Sequence, residues 1–171
     1  MIPIKMLDEG IHLCQENVDR LIHDAYILDK EGSHGHAFAL AVLAMEEYAK
    51  KLILVACAIS PDVTDETLSK AFQSHDYKLE WACDKLIRAL PDASQGKPLQ
   101  EKVEELKGLL SELKLSCLYV DYDEEIGWID PNRPNVKGGA QTQVRYMGEL
   151  IKATEQWVSE AYWVWRGRLT E

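Results

Sequence analysis

Two uninterrupted apolar runs, Ala37 to Met45 and Leu52 to Ile59, flank one charged hexapeptide, Glu46-Glu47-Tyr48-Ala49-Lys50-Lys51. No other stretch constrains the chain as much. A helix that is apolar all round belongs at the centre of a protein or inside a membrane. Neither run reaches the ~18 residues that a membrane span needs, and the charges separate them. The segment from about Gly35 to Ile59 is therefore expected to be the central helix of a bundle, with no membrane contact.

The charges inside that helix need an explanation. Glu46 and Lys50 stand four residues apart, as do Glu47 and Lys51, a spacing that brings opposite charges together on a helix. At ~100° per residue the four cover one arc. They must face solvent, a polar cavity, or partners on neighbouring helices. Two readings follow: a pair of solvated salt bridges, or a functional network.

The remaining pattern is helix after helix. The chain has 171 residues, the size of one domain, here 1–171. From about Met6 to Leu28, the residues Leu7, Ile11, Cys14, Val18, Leu21, Ile22, Ala25 and Leu28 form one helical stripe. Lys30-Glu31-Gly32-Ser33 ends it, with Gly32 as the stop and Ser33 as the next N-cap. Ser60-Pro61-Asp62 stops the central helix. Thr64 suits the N-cap of a short helix through Phe72, and another helix runs from His75 or Asp76 to Leu90. Pro91 to Pro98 reads as a loop. Pro98 suits a first helical position, ahead of a stripe of Leu99, Val103, Leu106, Leu110, Leu113 and Cys117.

Tyr119 to Gly139 is a long irregular stretch whose aromatics and prolines predict an ordered loop packed on the bundle. The last helix, about Ala140 to Arg168, is expected to bury Val144, Met147, Leu150, Ile151, Trp157, Val158, Ala161 and Trp165. Trp163 falls on its polar face, a position suited to an interface anchor in a homodimer. No strand alternates convincingly. The expected class is all-α, a bundle of five or six helices with one long loop before the last.

Composition narrows the function. A net charge of −10 opposes non-specific binding to nucleic acid or anionic lipid, while leaving room for a local basic pocket. Cys14, Cys57, Cys83 and Cys117 lie far apart without a C-x-x-C pair, so zinc ribbons and redox motifs are unsupported. The opening MIPIKMLDEG lacks the basic and apolar regions of a signal peptide. A cytoplasmic location with reduced cysteines is expected.

No cofactor or metal is expected. Glu9-x-x-His12 has the spacing of one half of a di-iron site, and the second half is missing. His34-x-His36 reads as a loop and cap feature. Nucleophile elbows and glycine-rich phosphate loops are absent. His75 opens Ser74-His75-Asp76-Tyr77-Lys78-Leu79 and suits a donor, a general base or a cap. The tyrosines of Tyr119-Val120-Asp121-Tyr122 would either seal the bundle or line a site with the charged arc.

Three pieces in order resemble the AbiV-type abortive-infection proteins, a branch of the HEPN superfamily of small helical bundles. They are Ala41 to Lys50, Ser74 to Leu79, and Leu118-Tyr119-Val120-Asp121-Tyr122 followed by Trp128 and Pro131. The resemblance implies a bacterial anti-phage protein that acts as a homodimer. Many HEPN proteins are metal-independent ribonucleases with an R-x4–6-H motif, in which the His does acid–base work and the Arg holds the phosphate. Here the nearest match is Lys70-Ala71-Phe72-Gln73-Ser74-His75, which offers a point charge in place of the guanidinium fork.

Glu46, Lys50, His75, Lys78, Tyr119 and Asp121 match recurring family positions. The catalytic set implied is His75, Lys70, Glu46 and Lys50. Glu47, Lys78, Tyr119, Asp121 and Tyr122 would bind or complete a polar network. The leading expectation is an RNA-cleaving effector that halts protein synthesis in infected cells. The alternative is a non-enzymatic dimeric module that engages a phage or host protein, which the missing Arg favours.

Overall fold

The computed structural model describes residues 4–60, 65–89, 96–125, 127–131 and 140–169. Six helices run through them: α1 (Ile4–Lys30), α2 (His34–Ile59), α3 (Asp65–Gln73), α4 (His75–Ala89), α5 (Leu99–Ser116) and α6 (Ala140–Leu169). The expected caps and stops at Pro61, Asp62 and Thr64, and loop residues 91–95 and 132–139, lie outside the described residues. Among the described residues, no helix is long and apolar enough to cross a membrane.

The apolar stripe of α1 turns inward as its spacing demands: Leu7, Ile11, Cys14, Val18, Ile22 and Ala25 are all buried. Gly32 ends the turn after it at φ +80°, a conformation that costs glycine little. Ser33 is the N-cap of α2 by position, but its hydroxyl bonds His36 Nδ1 at 2.9 Å and makes no backbone cap. Likewise, Pro98 is the N-cap of α5, one residue ahead of the first-turn position expected for it. Its extended ψ of 145° keeps it out of the helix proper.

α2 is the central element and packs against all five other helices. Its apolar residues from Ala37 to Leu52 fill the main core, with Leu79, Cys83 and Leu86 of α4, Val103 and Leu110 of α5, and Val144, Met147 and Ile151 of α6. A smaller cluster at the other end joins Leu7, Ile11 and Cys14 to Leu54, Val55, Leu68 and Tyr162. Burial on every side of α2 is the reason its sequence is apolar in every direction. Leu150 and Val158 are only partly buried, and the side chains of Trp157, Ala161 and Trp165 lie outside the described residues.

The long loop corrects one expectation. It begins with a small antiparallel hairpin, β1 (Asp121–Asp123) and β2 (Gly127–Ile129), with Tyr122 opposite Trp128. Those two rings meet edge to face at 5.3 Å between centroids. Strands of three residues are too short to show an alternating pattern. Beyond the hairpin the chain returns to the start of α2. A Cβ on Gly35 would lie 1.8 Å from the Pro131 carbonyl oxygen and 3.0 Å from that of Cys117. Gly35 is therefore the point where the loop lies directly on the central helix.

Candidate functional site

The charged hexapeptide of α2 splits three ways. Its i,i+4 pairs do not form as the spacing suggested. Glu46 instead turns to α4 and α5, Lys51 turns to α1 and α6, and Glu47 and Lys50 pair with each other. At ~100° per residue Glu46 and Lys51 stand some 140° apart, so they serve opposite sides of the helix.

Glu46 is the centre of the first group, with a side chain only 3% exposed. Lys114 of α5 donates to its Oε1 at 2.6 Å. Lys78 of α4 lies 3.7 Å from its Oε2. His75 Nδ1 bonds the same Oε2. An ionised carboxylate only accepts, so the Nδ1 nitrogen carries the hydrogen. In the neutral ring that tautomer leaves the lone pair on Nε2. The His75 side chain is 63% exposed, so its ring reaches from a buried carboxylate out to solvent.

Local sequence explains why His75 sits there. Ser74 precedes α4 and its hydroxyl accepts from the Tyr77 backbone N–H at 3.2 Å, the bond expected of an N-cap. His75 thereby becomes the first residue of the helix, held at a junction between α3 and α4. Lys78 follows one turn later on the same side. The buried group gathers two ammonium groups and an imidazole around one carboxylate. Its positive excess suits an anionic ligand such as a phosphate.

Lys50 donates to both oxygens of Glu47, at 2.8 and 3.0 Å. Its ammonium also lies 5.9 Å from the centre of the Phe72 ring. Cys14 packs nearby, and burial, with help from the Glu47 carboxylate, pushes its thiol up to about 12. Lys70, placed in the expected catalytic set, pairs with Glu66 at 2.8 Å on the exposed face of α3. The structure does not bring it into the group around Glu46.

Tyr119 and Tyr122 are both exposed, so neither seals the bundle as one reading had them. The side chain of Asp121 lies outside the described residues. Two histidines with metal-like spacing have other partners: His12 pairs with Glu16 at 3.2 Å, and His34 Nδ1 bonds the buried Asp29 at 2.7 Å. Lys114 is the residue that sequence reasoning missed. It follows Leu110 by four positions and adjoins Leu113, so it lies along the apolar stripe of α5. A lysine within such a stripe was the available signal.

The AbiV model of the HEPN class matches residues 6–152. The chain belongs to the AbiV family. That membership makes it an abortive-infection protein of HEPN type, and the match spans α1 to α5, the hairpin and the start of α6. No curated protein and no solved structure matches the chain. Within this AbiV protein, Glu46, His75, Lys78 and Lys114 all fall inside the matched residues.

Proposed function

We propose that this AbiV protein is a metal-independent ribonuclease whose acid–base group is His75. The observation that carries the reading is the contact of His75 Nδ1 with the buried Glu46 carboxylate, while the ring itself remains exposed. Glu46 is a positioning residue: it fixes the ring and its tautomer, as an acid behind a catalytic imidazole does. Nε2 takes the proton of an RNA 2′-hydroxyl, and the freed oxygen attacks the adjacent phosphorus. The 5′-oxygen leaves and takes up a proton from water. The products are a 2′,3′-cyclic phosphate and a 5′-hydroxyl end. Lys78 and Lys114 supply positive charge beside the phosphate, and Lys50 stands one turn along α2.

The protein would act in the bacterial cytoplasm as a homodimer. The second reading, a non-enzymatic module that grips a phage or host protein, is favoured by the surface pairing of Lys70 with Glu66. That pairing leaves the R-x4–6-H-like position without a cation at the imidazole.

Growth during phage infection separates the two. Under the ribonuclease reading, cells carrying His75→Ala lose growth arrest while the variant melts within a few degrees of the parent. A folded His75→Ala protein that still protects the culture transfers the function to a binding surface.

A further inference from the structure

A cleft of about 610 Å³ lies between α1, α2 and α6, on the side of the molecule served by Lys51. This is the size of a small-molecule site. Its walls are largely apolar: Ile11, Val55, Val158, Tyr162 and Trp163. Much of one wall, from Glu155 onward, lies beyond the residues matched by the AbiV family. The cleft is separate from the Glu46 group in position, since Lys51 and Glu46 serve opposite sides of α2.

Its polar groups carry one predominant sign. Among the described residues that line it, Asp8, Glu9 and Glu155 are three carboxylates, against the ammonium of Lys51 and the imidazole of His12, which pairs with Glu16 outside the cleft lining. That ammonium is already engaged. Lys51, only 5% exposed, bonds Glu155 Oε1 and donates to Gln15 Oε1 at 2.8 Å. Ser159 donates to the same Glu155 oxygen at 2.6 Å. The other oxygen, Oε2, is buried and receives no hydrogen bond. At the rim stands the exposed indole of Trp163, a face that attracts cations.

We propose that this cleft binds a small organic cation, an ammonium or guanidinium on an apolar body. The body lies against Ile11, Val55 and Val158. The cationic head meets the field of Glu9, Asp8 and Glu155 and the face of Trp163.

Matched probes of opposite charge test it. Calorimetry with 4-phenylbutylamine should give saturable binding, at least tenfold tighter than with 4-phenylbutyrate, which has the opposite charge on the same apolar body. Glu9→Gln and Trp163→Ala alter exposed side chains, so the fold should survive, and each should weaken the amine at least fivefold. Glu155→Gln should do the same where its melt shows a folded protein. His75→Ala should bind the amine as the parent does, which keeps this result independent of the ribonuclease reading. No binding at millimolar amine, equal affinity for the carboxylate probe, or unchanged affinity in both Glu9→Gln and Trp163→Ala would overturn the proposal.

Discussion

Glu46 is the carboxylate shared by two lysines that are nearly buried, Lys78 at 9% and Lys114 at 12% exposed. Removing the carboxylate leaves both ammonium groups facing each other in a poorly solvated space. Glu46→Ala should therefore cost about 3–5 kcal/mol in stability. Lys50→Ala breaks a more accessible pair, with both side chains 17–18% exposed. Its cost should be nearer ~1 kcal/mol. Denaturant melts of the two variants read the difference, and similar losses would contradict this account. The hexapeptide itself was legible as a polar island in an apolar helix. Its partners were not, because i,i+4 spacing describes an isolated helix. In the bundle, α4 and α5 offer Glu46 cations from one side and α6 offers Lys51 a carboxylate from the other.

The helices were largely readable as elements, since their boundaries rest on stripes and stops that depend on nearby residues. α2 was the most legible of all, because burial on every side leaves a continuous apolar record. The hairpin left no such record: its two strands have three residues each, and tertiary contact holds them in place. Gly35 shows that contact. A methyl group there meets backbone atoms of Pro131 and Cys117, which cannot rotate away as a side-chain end can. Gly35→Ala should destabilise the protein by about 1–3 kcal/mol. It should also raise amide exchange in the hairpin more than in α6. Uniform exchange with an unchanged melt would contradict the docking of Pro131 on α2.

Across the whole molecule, buried thiols tie stability to pH. Burial raises Cys14 and Cys83 from 9.0 to about 12, and raises the Tyr48 phenol from 10.0 to about 12. In the unfolded chain these groups lose their protons earlier. The fold is thus stabilised fully below about pH 9, and that contribution is lost as pH climbs toward 12. Each shifted group contributes up to ~1.4 kcal/mol per pH unit within its window. Melting temperature should fall steeply from about pH 9 upward, and Cys14→Ala/Cys83→Ala should flatten the slope. An equal slope in both proteins would place the alkaline loss elsewhere. At neutral pH the same thiols stay protonated and should resist alkylation until the protein unfolds.

The central claim concerns one imidazole, and it is tested most directly on purified protein with RNA in the presence of a chelator. Parent protein should cut the RNA and leave 2′,3′-cyclic phosphate and 5′-hydroxyl ends, identified by mass spectrometry. His75→Ala, folded by its melt, should lower the rate by ~10²–10⁴-fold, the contribution of a positioned acid–base group. Lys70→Ala should change it little, since Lys70 pairs with Glu66 on the surface. Cleavage that survives His75→Ala, or an intact parent protein that leaves RNA uncut, would contradict the assignment of His75 as the catalytic group.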